Sequence, residues 1–347
     1  MNSAPVVTTT DLPLKLIARG KVRDVYDAEI AEGDEHAGAL LFVASDRISA
    51  FDVILENGIP EKGHLLHALS TFWFDLLTPS ILPSHVLATS FDAFPASLRN
   101  KLAAHRAELD GRSMLVRRAQ VLPIEAIVRG HITGSGWKEY KKSGTVHGLK
   151  LPAGMQESQE IPDGPIFTPS TKADQGEHDE NIHPDQAKDI LGPELAKAVS
   201  EAAVALYSKA AKHAASRGII LADTKFEFGL VPATAELPAT PGLAGGKLPT
   251  SSGGQSLDGM TLILVDEVLT PDSSRFWSKD SFAVGKGQAS FDKQYVRDWL
   301  IEQGLDRVAY DESQKGTKIT LPDDVARKTS EKYRECYEKI TGKAWRQ

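Results

Sequence analysis

Between Gly192 and Gly218 the sequence holds one long amphipathic stretch, and strand-forming text begins at the next residue. Pro193 suits a first helical turn, where its missing amide would be unpaired anyway. Leu195, Val199, Ala202, Ala203, Leu206 and Ala210 fall on one stripe, and Gly218 suits the end of the helix. Residues 219–222 and 226–230 then read as strand, and residues 261–265 as a second strand. Between these runs, residues 232–259 are rich in Pro, Gly, Ser and Thr with almost nothing to bury. That segment is expected to be a flexible insertion between neighbouring strands of a hairpin. A long helix feeding an antiparallel pair makes the class α+β.

The rest of the chain agrees with that class. Residues 14–18, 22–26, 39–44 and 51–55 are short β-prone runs. Leu65, Leu69, Phe72 and Leu76 recur at helical spacing until Pro79 and Pro83. Residues 113–129 read as two strands broken at Pro123, which lacks an amide donor. Residues 291–300 and 322–340 read as helices, the second with Tyr333, Cys336, Tyr337 and Ile340 on one face. The 47 acidic against 40 basic side chains, net charge −7, exclude a polybasic nucleic-acid binder. The single Cys336 excludes a disulfide framework and a thiolate metal cluster. No run nears the roughly 20 apolar residues of a membrane span. No basic-then-apolar leader opens the sequence, so a soluble, cytoplasmic protein is expected.

Five polar stretches could carry chemistry. In residues 20–26, Gly20 permits close backbone approach, while Lys21 and Arg23 alternate onto one face and could hold phosphate. The glycine spacing is not that of a phosphate loop, and an exposed charged hairpin reads equally well. In residues 223–229, alternation puts Asp223, Lys225 and Glu227 on one face and Thr224, Phe226 and Phe228 on the other. If the hairpin pairs, Glu227 approaches Asp266, and two hard oxygens with room for water and phosphate suit Mg²⁺. A solvated face with ion pairs is the alternative. Arg129 followed by a glycine-spaced turn with Thr133 and Ser135 is either an anion site or a helix cap. Residues 167–183, with Lys172, Asp174, His178, Asp179 and His183, read as a mobile substrate loop or a plain polar loop. A transition metal on His178 and His183 is the weakest reading, because their spacing matches no zinc pattern. The turn Ser45-Asp46-Arg47 before Ile48 has the same two readings, substrate loop or polar loop.

Taken together these stretches resemble the SAICAR synthetase family, in the longer form found in fungi and some bacteria. The blocks are GKVRDVY from Gly20, SDRISAFD from Ser45, LPIEAIVR from Leu122 with Thr133-Gly134-Ser135, and FTPSTKADQGEHDENI from Phe167. They continue with LADTKFEFG from Leu221, VDEVLTPDSSRFW from Val265 and SFDKQYVRDWL from Ser290, skipping only the insertion. The resemblance implies ATP-dependent joining of the carboxylate of carboxyaminoimidazole ribotide to the amine of L-aspartate, giving the succinocarboxamide of purine synthesis. It implies a strand-rich ATP-binding lobe at 1–115, a central ATP and substrate lobe at 116–300, and a helical segment at 301–347. Those lobes would resemble kinase or ATP-grasp lobes.

Residue by residue, the resemblance puts Gly20, Lys21 and Arg23 at the ATP phosphates and the strand Arg117 to Leu122, Val121 included, beside the adenine. Glu227 and Asp266 would hold Mg²⁺, and Arg129, Ser135 and Arg275 the ribotide. Lys172, His178 and Asp179 would close over the site, with Lys21 and Lys225 acting on the reacting groups. The chemistry needs no protein nucleophile, and none is apparent. Asp223 and Asp174 both remain candidates for the base that takes the amine proton. The alternatives are a small-molecule kinase and a non-catalytic nucleotide binder. A monomer is compatible with the sequence.

Overall fold

The computed structural model describes residues 5–51, 53–78, 80–172, 179–249, 253–291, 293–306, 308 and 318–346. Helix and strand are mixed, as the α+β reading requires. A first sheet of five strands runs in the order Leu16–Arg19, Arg23–Asp27, Leu40–Ala44, Ser113–Val116 and Val86–Ala88, each pair antiparallel. Alternation along Arg23–Asp27 buries Asp24 and Tyr26 on one face and leaves Arg23 on the other.

The second sheet is organised by one strand, Ile219–Pro232. That strand runs without interruption through residues 223–225, which joins the runs read at 219–222 and 226–230 into one strand. Asp223, Thr224 and Lys225 stay in the ladder because Arg129, Val128 and Ile127 pair along one side. Arg275 and Ser274 pair with Asp223 and Thr224 along the other. Farther along, Met260–Val265 forms the expected hairpin with it, and Gln120–Val121 pairs opposite. The interruption at Pro123 falls between Gln120–Val121 and Ile124–Arg129, as its missing donor predicts.

Helix Pro193–Ser216 lies on this sheet and buries Leu195, Val199, Ala203, Leu206 and Ala210 in a core shared with Phe226 and Phe228. Gly218 follows it with φ 71°, a conformation glycine adopts without steric cost. Helix Lys62–Leu77 adds Leu69, Trp73 and Leu77 to the same core.

The expectation for residues 232–259 is corrected by this packing. Leu243, Leu248 and Leu257 are buried in the main core, and backbone bonds Leu248 to Gln255 and Leu257 to Gly246 tie the segment together. Their spacing follows neither helical nor strand period, so no pattern announces their burial. Each fully buried leucine contributes about 1.5–3 kcal/mol.

The last helices do not form a core of their own. Val296 and Leu300 of Gln294–Glu302, with Val325 and Ala326 of Asp323–Thr341, pack with Ile48, Leu55 and Ile59. Tyr333 packs with Leu65 and Leu66, and Cys336 is buried in the main core. Among the described residues, no helix is long and apolar enough to cross a membrane.

Candidate active site

The polar face of Ile219–Pro232 holds Asp223, Lys225 and Glu227, and each has an ionic partner from outside the strand. Asp223 Oδ2 accepts from Arg129 Nη1 at 3.0 Å and from Arg275 Nη1. Lys225 donates to Glu125, and Lys172 donates to Glu227. The hairpin register sets Glu227 opposite Val265, so Asp266 begins the turn just beyond the partner strand. Asp266 has φ 66°, a left-handed backbone that Asp tolerates better than most side chains. Its carboxylate accepts from Arg23 Nη2 at 2.5 Å, and Glu267 lies 3.7 Å from Arg23 Nη1.

Two cavities meet along this face. One, of about 240 Å³, is lined by Lys21, Arg23, Ser49, Lys225, Glu227 and Asp266, among others. The second, of about 160 Å³, is lined by Asp223, Lys225, Arg275, Lys293 and Arg297, among others. Lys225, Asp272, Ser273 and Lys293 belong to both walls. The ammonium of Lys293 is 4.0 Å from Asp272, whose other neighbours are Lys62 Nζ at 2.7 Å and the Tyr333 hydroxyl at 2.6 Å.

Charge is unevenly compensated in these walls. Burial raises the Glu227 carboxyl pKa, and the nearby Asp266 charge raises it further, with Lys172 only partly opposing. Burial acts the same way on Asp266, but Arg23, Lys172 and Lys225 outweigh it and hold Asp266 low. Burial raises Glu267 as well. Burial works against a charged Lys225, yet Glu125, Glu227 and Asp266 together raise its pKa. Lys293 is lowered by burial and by the Lys62 charge. A carboxylate pair in which one member has a raised pKa suits a divalent ion, which takes two carboxylates and leaves its other positions to phosphate and water. Among the described residues, no cluster of three or more His, Cys, Asp or Glu has metal-site geometry.

The expected residues divide into several groups. Lys21, Lys225, Glu227 and Asp266 meet at one cavity, and Asp223, Lys225 and Arg275 at the other. Arg23 reaches the first cavity, but its guanidinium is turned onto Asp266 and Glu267 rather than left open to phosphate. Arg129 is buried behind Asp223, where it also donates to Thr168 Oγ1 at 3.1 Å. Burial lowers its pKa despite Asp223. Asp223 has Oδ2 occupied by two guanidiniums, which makes it an anchor for arginines before it is a base.

Gly20 donates from its amide to the Arg23 carbonyl at 2.7 Å, closing a tight turn around Lys21. Arg117 donates from its amide to the His85 carbonyl, and Val121 pairs with Gly229 on an exposed edge. Ser135 is exposed in the first turn of Gly134–Ser143. Gly134, with φ 56°, has Arg275 Nη2 only 2.7 Å from where a Cβ would stand, so a side chain there would displace that guanidinium. Lys172 is on Glu227 and Asp179 is exposed, whereas Asp174 and His178 lie outside the described residues. His183 caps Pro184–Leu191 by accepting from the Asp185 amide, which gives it a structural role. Sequence reasoning passed over Glu125, Glu267 and Lys293. Lys293 sits inside a motif block, but its partner Asp272 is distant in sequence and no spacing links them.

Comparison with known proteins agrees across the whole chain. The family model described as SAICAR synthetase matches residues 16–237 and 254–313. A phosphoribosylaminoimidazole-succinocarboxamide synthase of Cyberlindnera jadinii is 52% identical, over 97% of this chain and 98% of its own length. One of the same name from the bacterium Syntrophotalea carbinolica is 48% identical, over 97% and 98%. Among solved structures, SAICAR synthase of Saccharomyces cerevisiae in complex with SAICAR superposes with a TM-score of 0.78. It is 46% identical and covers 98% of this chain and 100% of that one.

Proposed function

The chain belongs to the SAICAR synthetase family, and from that premise we propose how its two adjoining cavities share the work. The reaction is the ATP-dependent ligation of purine biosynthesis, and the relatives are synthetases rather than kinases. The reading of the site starts from one observation: a cavity walled by four cationic and two acidic side chains adjoins one where four cations meet four acids, and Lys225 and Lys293 belong to both walls.

The Arg275 cavity takes the ribotide. Arg275 presents its guanidinium from a wall already anchored by Asp223, and Arg129 fixes Asp223 from behind. A planar guanidinium held in this way pairs with phosphate or carboxylate oxygens. The other cavity takes the ATP phosphates, with Lys21 at the entrance and residues 117–121 toward the adenine. Glu227 and Asp266 hold Mg²⁺, which when bound neutralises charge on the phosphates. Lys172 then leaves Glu227 for the phosphates or the ribotide.

Lys225 stands between the cavities, where the ribotide carboxylate meets the terminal phosphate. Its ammonium offsets negative charge on the transferring group, the main requirement of phosphoryl transfer. The carboxylate oxygen attacks phosphorus, ADP leaves, and an acyl phosphate results. The amine of L-aspartate then attacks the acyl carbon, phosphate departs, and a proton passes from nitrogen to a base. Asp174 is the better candidate for that base, because Asp223 already serves two arginines.

The experiment follows the oxygen. Ribotide labelled with ¹⁸O in its carboxylate should give inorganic phosphate carrying one labelled oxygen per turnover. Unlabelled phosphate from a fully coupled reaction would reject the acyl-phosphate route.

A further inference from the structure

The segment Ser45-Asp46-Arg47 has no assigned role in the reaction, yet it wraps the turn that carries Lys21. Ser45 donates to the Val22 carbonyl from its amide at 2.9 Å and from its hydroxyl at 2.8 Å. Arg47 Nη2 donates to the Gly20 carbonyl at 2.9 Å and to Asp24 Oδ1 at 2.7 Å. Arg47 Nη1 donates to the Thr8 carbonyl at 2.5 Å. Asp24 is fully buried, and its Oδ2 accepts from the Thr10 amide at 3.2 Å and the Thr10 hydroxyl at 2.8 Å. The carbonyls on both sides of Lys21 are therefore held by one short segment, itself braced by residues 8–10.

We propose that Arg47 and Asp24 are positioning residues for ATP: they fix the turn at residues 20–23 so that Lys21 meets the phosphates. The inference rests on the reading of Lys21 given above. Neither side chain lines either cavity, so both act through that turn. A glycine-led turn without such ties has many backbone states available, and a lysine carried on it points in as many directions. Two donors of one guanidinium fork are engaged by three acceptors, an arrangement one ammonium cannot reproduce.

The test uses the full chain and the variants Arg47→Met, Arg47→Lys, Thr10→Val and Lys21→Ala. Binding of a fluorescent ATP analogue, KM for each substrate, and hydrogen exchange over residues 20–25 are measured. Arg47→Met should weaken ATP binding by about tenfold to a hundredfold, the scale of losing the charge-assisted Lys21 contact to phosphate. Its ribotide KM should stay near the parent value, and the Gly20 amide should exchange faster. Arg47→Lys should recover part of the loss. Thr10→Val removes one bond to Asp24 and should shift ATP binding in the same direction by less, which keeps the test open if Arg47→Met does not fold. Parent-like ATP binding in a folded Arg47→Met or Thr10→Val protein would overturn the inference, as would equal rises in the ATP and ribotide KM. Lys21→Ala separates the two levels. If it leaves ATP binding intact, the reading of Lys21 falls and the inference with it. If it weakens ATP binding while Arg47→Met does not, only the positioning role falls.

Discussion

Asp223 and Glu227 share one face of one strand, yet their surroundings differ in charge balance. At Asp223 a single carboxylate serves Arg129 and Arg275, so positive charge is in excess. At Glu227 the carboxylate stands near Asp266 and Glu267, and Arg23, Lys172 and Lys225 offset them, while burial and Asp266 still raise the Glu227 pKa. Buried charge without a partner costs several kcal/mol, so the excess at Asp223 is a cost to the folded state that an anionic ligand removes. One strand thus displays an anion site next to a carboxylate pair that a cation could bridge, which suits a reaction that brings a ribotide up to metal-bound ATP.

The largest test of that contrast is Asp266→Asn, which should lower kcat/KM for ATP by about a hundredfold or more, the scale for losing one electrostatic contact to a transition state. Its melting temperature should fall as well, because Arg23, Lys172 and Lys225 hold the Asp266 pKa low and its charge therefore stabilises the folded state. Glu227→Gln should act in the same direction and add a pH signature. Because the Glu227 pKa is raised, the parent enzyme should lose Mg²⁺–ATP turnover on acidification before an ordinary carboxylate would protonate. For stability the sign reverses. The folded state holds this proton more tightly than the unfolded chain, so stability falls as pH rises through the folded pKa. The Gln variant should lack that fall, and melting curves across pH read it directly. Normal turnover at limiting Mg²⁺ in either variant would remove the cation half of the contrast.

Arg275→Ala should raise the ribotide KM by about ten- to a hundredfold, the worth of charge-assisted hydrogen bonds. The ATP KM should hardly move, and Arg275→Lys should recover little. Arg129→Ala differs because Arg129 is buried: it should cost stability as well. Equal losses of ATP and ribotide affinity in Arg275→Ala would erase the distinction between the two cavities.

The smallest effect on catalysis should come from Leu248→Ala in the insertion, which sharpens the contrast as a control. It should cost about 2–5 kcal/mol of stability by the cavity it leaves. Both KM values should stay at the parent level when assayed well below its melting temperature. A selective change in one of them would show that residues 232–259 reach the site.

What the sequence made legible was what repeats or alternates. The stripe of Leu195 to Ala210 gave the long helix, and the period-two face put Asp223, Lys225 and Glu227 together. Missing from it were partnerships across long sequence separations. Arg23 looks free for phosphate until Asp266 is seen beside it, and Asp223 looks like a base until Arg129 and Arg275 are seen on its oxygen. Leu243, Leu248 and Leu257 were hidden for the opposite reason: burial in an irregular segment leaves no period to detect.

The left-handed backbone at Asp266 limits which replacements the site can sample. In that conformation asparagine and glycine are tolerated, whereas longer or branched side chains meet steric cost. Glutamate would keep the charge on a backbone that Glu29 and Glu61 show glutamate can adopt, but its extra methylene would move the carboxylate relative to Arg23. Of the neighbours open to a single substitution, asparagine keeps the backbone and removes the charge, and glycine keeps the backbone and removes the side chain. Drift at this position therefore trades one cost for another: glutamate keeps the charge and displaces it, whereas asparagine and glycine lose the carboxylate in one step.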